Sequence, residues 1–177
     1  MASAEAIREL LDKMRQERDA LLAQAEALTA AQAEFAPAGA EGEAQWSPKE
    51  QLAHLAEMET AYRAWVERAL IEDDPDVSRV TGERPSIALT AAKEHSVADL
   101  TAQLRAQRET TLRLIASIAP GQFERTASQP MFGRLTVMQW LRSYYRHDRM
   151  HYDQVRGVEP EYKPRFAGGK EPDQRRG

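Results

Sequence analysis

Four stretches of this chain place apolar side chains at the three-to-four-residue spacing of a single helix face, and a helix so patterned can bury its stripe only against other elements. The first stretch runs from Ser3 to Ala33, with Ile7, Leu10, Leu11, Met14, Leu21, Leu22, Ala25 and Leu28 on one side. It ends before "FAPAGAEGEAQ", where Pro37, Gly39 and Gly42 break the pattern. The second opens on "WSPKE": Ser47 is a helix cap, Pro48 the first helical residue and Glu50 the reciprocal partner of a capping box. Its apolar face, Leu55, Met58, Tyr62, Trp65, Val66 and Ala69, stops near Pro75. A third stretch begins at Ser96 with Asp99 answering and continues through Ile118; a fourth begins at Thr136 with Gln139 answering and reaches about Gly157. "FERTASQPMFGRLT", between the last two, has room for a brief extended turn. The expected fold is all-α, a four-helix bundle whose second and third helices are joined by a long crossover. The helix order around such a bundle cannot be read from the pattern.

Composition narrows the chemistry. At 177 residues the chain can build one core that buries roughly 70% of its unfolded surface. The absence of cysteine excludes a disulfide scaffold, a thiolate zinc site and a cysteine nucleophile. Any metal must bind through nitrogen and oxygen. The net charge of −4, with acidic and basic residues interleaved, offers no basic stripe for nucleic acid. The first residues carry a charge on every turn, and no apolar run approaches the ~20 residues of a membrane span. The expected location is the cytoplasm. The expected division is one bundle over residues 1–160 and a polar tail over 161–177, whose end, "KEPDQRRG", reads as a frayed terminus.

Two of the four histidines, His147 and His151, lie four positions apart in the last helix. Residues so spaced return to within about 40° of one another on an α-helix. Trp140, Tyr144 and Val155 fall on the same face, so both imidazoles point inward. His54 lies at the edge of the second helix's buried face, near its start, whereas the pair lies late in its own helix. Were those two helices antiparallel neighbours, the three imidazoles would meet at one level. Zn²⁺ or Ni²⁺ binds neutral imidazole at about 2.0–2.1 Å, and three protein ligands leave positions open for water or substrate. The alternative is a set of hydrogen-bonded core histidines. His95, in a polar approach to a helix start, has no such setting.

The combination "WSPKEQLAHLAEME" and "TVMQWLRSYYRHDRMHYDQV" resembles the DinB-like superfamily of metal-binding four-helix bundles: a Trp-Ser start, a His-Leu in the second turn, and a last helix closing on His-Asp-x-x-His. The resemblance covers Ile7 to Val158 and implies an up-down-down-up bundle, His54, His147 and His151 as ligands of nickel or zinc, and a homodimer. It also implies thiol-dependent chemistry, as in bacillithiol transferases and mycothiol-dependent maleylpyruvate isomerase, with a low-molecular-weight thiol as cofactor. Met150 departs from relatives that carry another histidine there.

Around the triad, Glu50, Glu57, Asp148 and Asp153 are candidate carboxylate partners for the imidazoles. Tyr62, Trp65, Trp140 and Tyr144 are candidates to line the space above the metal, with ordinary core packing as the other reading. Arg146 and Arg149 are candidates to hold a carboxylate of thiol or substrate, or else are exposed helix charges. Three functions remain open: a thiol S-transferase, a metal-dependent hydrolase, and a non-catalytic small-molecule-binding or stress-response module.

Overall fold

The structure, a computed structural model, describes residues 1–169; the basic terminal segment from Lys170 onward lies outside the described residues. The helices are α1 (Ala4–Glu26), α2 (Ala30–Glu34), α3 (Pro48–Ile71), α4 (Val97–Ser117) and α5 (Val137–Val155), with a hairpin of β1 (Thr126–Gln129) and β2 (Gly133–Thr136) before α5. Ser47, Ser96 and Thr136 each cap a long helix through the reciprocal hydrogen bonds anticipated from the sequence. The first predicted helix is instead two. Its chain turns after Glu26, and Thr29 with Gln32 forms a further capping box that starts α2 in a new direction. A Ser/Thr-x-x-Gln pair inside an otherwise helical composition is a start signal wherever it falls.

α1 and α3 each pack against α4 and α5, which puts α1 and α3 on one diagonal of the bundle and α4 and α5 on the other. Two apolar clusters fix the directions. One gathers the early half of α1 (Leu10, Met14) with the late halves of α3 (Trp65, Val66) and α4 (Leu112, Ile115) and the start of α5 (Val137, Leu141). The other gathers the late half of α1 (Leu21, Leu22) with the early halves of α3 (Leu52, Leu55) and α4 (Leu100, Leu104) and the end of α5 (Val155). α1 and α5 therefore run one way and α3 and α4 the other, giving up-down-down-up.

That topology explains the long connection. Adjacent helices that run parallel need a return over the full bundle length, about 36 Å for the 24 residues of α3. Residues 72–96 make that return and are pinned at several points. Trp65 Nε1 donates to the Val80 carbonyl at 2.9 Å, and Glu57 accepts from Leu89 N at 2.8 Å. Gln103 clasps Ile87 through both its amide atoms. Gly82 presses against α3 so closely that a Cβ there would lie 2.3 Å from the Thr60 carbonyl carbon. The crossover also touches the hairpin, through Val77 N to Ser128 O and Ser128 N to Pro75 O, both 2.9 Å.

Midway along the bundle each long helix contributes one buried charge: Arg18 from α1, Glu59 from α3, Arg108 from α4 and Asp148 from α5. Arg18 reaches Glu59 at 2.7 Å and Asp148 at 2.8 Å; Arg108 reaches Glu59 at 2.9 Å and Asp148 at 2.8 Å. Thr111 adds a hydroxyl donor to Glu59 at 2.7 Å. Such a closed square rejects any slip of one helix along another, because a shift of one turn would strand a buried charge.

Candidate metal centre

α3 and α5 are antiparallel neighbours, and this brings His54, in the second turn of α3, level with His147 and His151 in the later half of α5. All three are buried. A fourth donor joins them that periodicity does not point to. Glu43 sits in a short 3-10 turn, Gly42–Gln45, and is itself buried. Gly42, at φ 59, turns the chain into that 3-10 segment, and Trp46 then packs at a tilt against the His54 ring, centroids 4.6 Å apart. The segment is tied to the start of α3 by Ser47 capping and by Gln51 Nε2 donating to the Trp46 carbonyl at 3.0 Å.

Three imidazole Nε2 atoms converge on the Glu43 carboxylate. His147 Nε2 lies 2.8 Å and His151 Nε2 3.0 Å from Oε2; His54 Nε2 lies 3.0 Å from Oε1. His147 and His151 Nε2 are 3.1 Å apart. With donors at 2.0–2.1 Å from an ion, neighbouring donor atoms are separated by about 2.9 Å in an octahedron and about 3.4 Å in a tetrahedron. The His147–His151 separation matches an edge of such a polyhedron, and the Glu43 carboxylate sits against the same three nitrogens. The donor atoms of Glu43, His54, His147 and His151 all fall within 4.8 Å of one another.

Two details favour an ion over a purely hydrogen-bonded core. His54 Nε2 is buried and, among the described residues, has only the Glu43 carboxylate within reach, at 3.0 Å and without hydrogen-bond geometry that satisfies it. A metal bond would satisfy that nitrogen in full. The second detail is the outer support of His151: Gln51, with its amide nitrogen engaged by Trp46, turns its oxygen to His151 Nδ1 at 3.1 Å. Nδ1 then carries the proton, and the Nε2 lone pair faces the cluster.

The electrostatics agree. Burial pushes the imidazole of His151 down to about 4 and outweighs the opposing pull of Glu43. Burial likewise lowers His54. Both are neutral at physiological pH, as metal ligands must be. Burial pushes the Glu43 carboxyl up, but the imidazoles gathered around it, His147 foremost, prevail and hold it well below the usual carboxylate range.

Beside Glu43 and His147 opens a cavity of about 800 Å³. Its floor is buried; its outer wall is the chain that follows α5, residues 161–166. That segment is held across the opening by Ala167 N donating to Met131 O at 2.7 Å and by Phe166 against Phe132, ring centroids 5.6 Å apart.

The other sequence candidates are distributed differently. None of the four proposed carboxylates serves an imidazole. Glu50 completes its capping box, Glu57 holds the crossover, Asp148 belongs to the buried charge square, and Asp153 faces Arg149, Arg156 and the Glu161 amide. The role falls to Gln51, an amide where the sequence pointed to carboxylates. Of the four aromatics, Tyr62 lines the cavity; Tyr144 stacks behind it at 5.0 Å, while Trp65 and Trp140 pack into the core below. Arg146 lines the cavity, whereas Arg149 lies along α5 against Asp153 and the Tyr152 ring. His95 ends a 3-10 turn and lies outside the cluster.

An all-helical bundle with a buried carboxylate and three convergent imidazoles opening on a cavity defines a class of helical metal-binding proteins. The comparisons place it more narrowly: the model of the DinB superfamily matches residues 6–155, and the chain belongs to that family. It is similar to the uncharacterized protein YuaE of Bacillus subtilis, 30% identical over 125 residues, covering 64% of this chain and 77% of that one. Its fold resembles that of YfiT from Bacillus subtilis, described as a probable metal-dependent hydrolase with an unusual four-helix bundle topology. The TM-score is 0.71 at 19% identity, over 89% of this chain and 87% of that one.

Proposed function

We propose that this protein is a metal-dependent hydrolase in which His54, His147 and His151 hold a nickel or zinc ion and Glu43 acts as general base. The observation that carries this reading is the Glu43 carboxylate, within 2.8–3.0 Å of all three Nε2 atoms and at the floor of the cavity. A divalent ion there would supply Lewis acidity and lower the pKa of adjacent water to about 7. The chain's own groups do the rest. Three imidazoles on two rigid helices leave open positions toward the cavity. Glu43, held ionised, accepts the proton of an attacking water at its carboxylate oxygen and returns it to the leaving group. Burial of the floor keeps other water away. The description of YfiT is compatible with this chemistry.

Thiol transfer, implied by the family resemblance, needs no carboxylate base at the ion, because a metal-bound thiol ionises near neutral pH by itself. Glu43→Gln separates the two. In the hydrolytic reading it retains metal on the three histidines but loses about 10²–10⁴-fold in ester or amide hydrolysis. Undiminished hydrolysis in Glu43→Gln overturns the assignment, and thiol-dependent consumption of an electrophile that survives this substitution favours the transferase. The expected homodimer is a further proposal, tested by sedimentation at micromolar concentration for a species of twice the chain mass.

A further inference from the structure

The cavity beside Glu43 has an outer part that hydrolysis alone does not explain. Arg146 and Arg165 line it, and both are exposed at its rim. Lys163 is neutralised by an ion pair with Glu159, and Glu161 is the single acid on the same rim. Arg146 lies over the Tyr162 ring, 5.8 Å from its centroid. Neither guanidinium forms an ion pair with a carboxylate among the described residues, so the rim presents two fork-shaped donors for an anion. Between rim and floor the walls are aromatic: Tyr62 from α3, Phe132 from the hairpin tip and Phe166 from the closing segment, with Tyr62 and Phe132 centroids 6.0 Å apart. At about 800 Å³ the space accommodates a small organic molecule.

We infer that the pocket selects small anionic substrates with an aromatic or apolar body, the body held between the three rings and the carboxylate by Arg146 and Arg165. This rests on the hydrolytic reading for which end of the substrate meets Glu43 and His147; anion capture at the rim does not depend on it. The arrangement separates recognition from reaction. The charged end stays at the exposed mouth, where it keeps most of its hydration, and the neutral scissile group enters the buried floor.

The test uses 1-naphthaleneacetate and its neutral isostere 1-naphthaleneacetamide, binding followed by naphthalene fluorescence, with metal content measured on every preparation. The wild-type chain should bind the acid at least ~10-fold more tightly than the amide, as expected for charge-assisted hydrogen bonds. Arg146→Gln and Arg165→Gln should bring the acid toward the amide, with a much smaller loss for the amide and metal content unchanged. Equal affinity for acid and amide overturns the inference, as does acid binding that survives both substitutions. Loss of acid binding in His151→Ala with both arginines intact would place the carboxylate at the metal end and equally overturn it. Wild-type protein that holds no metal yet binds the acid through the arginines would sustain this inference while removing the hydrolytic reading.

Discussion

Replacing Arg108 by Met should cost this protein about 3–5 kcal/mol, a large share of the ~5–15 kcal/mol that keeps a domain folded. Arg108 contacts Glu59 at 2.9 Å and Asp148 at 2.8 Å and donates to the Met14 carbonyl at 2.6 Å. Without it, Arg18 faces two buried carboxylates alone, and the core keeps one uncompensated negative charge. Burial pushes the Glu59 carboxyl up, yet the charges of Arg108 and Arg18 and hydrogen bonds from Arg108 and Thr111 hold it down to about 2 from 4.5. A carboxyl with a depressed folded pKa stabilises fully above pH 4.5 and loses that contribution as pH falls toward 2. The wild-type chain should therefore weaken across that window, and Arg108→Met should weaken less steeply there. Urea unfolding followed by tryptophan fluorescence reads the loss directly: with a slope of ~2 kcal/mol/M the midpoint should fall by about 2 M. Replacing all four charges together with apolar residues should recover most of it. A loss under about 1 kcal/mol, or an unchanged acid slope, would refute the idea that this square fixes helix register.

Gln51→Leu leaves the His151 Nδ1 proton unpaired and should weaken metal binding about 10–100-fold, measured by chelator competition, with the fold retained by circular dichroism. Gly82→Ala drives a Cβ into the Thr60 backbone and should destabilise by about 1–3 kcal/mol in thermal unfolding, through displacement of the crossover rather than change at the histidines. Metal binding should hold through neutral pH and weaken as pH falls toward about 4, where the His151 imidazole of the unbound chain takes up a proton; chelator competition across that range checks this. His147→Ala should abolish metal binding, whereas a core-histidine role would lower only stability.

The helices and three of the four candidate donors were legible because both obey local rules. Capping boxes announce α3, α4 and α5, and helical periodicity turns His54, His147 and His151 inward before any packing is known. The direction of the bundle was readable only by resemblance, since an amphipathic stripe does not say which neighbour covers it. Glu43 escaped notice because a 3-10 turn of four residues has no period to read; its clue is weaker, an acid held close to the Ser47 cap by Gly42 and Trp46. Arg18, Glu59 and Arg108 carry no pattern of their own, and with Asp148 they become a core only when four helices meet. Asp148 in particular follows His147 directly, yet points to the arginines rather than to an imidazole.

Anomalous diffraction from crystals of protein purified without chelator or histidine tag bears most directly on the metal centre. The prediction is one anomalous peak per chain at the nickel or zinc edge, about 2.0–2.2 Å from Nε2 of His54, His147 and His151. Imidazoles in the same places with no peak, in crystals soaked with either ion, would contradict it.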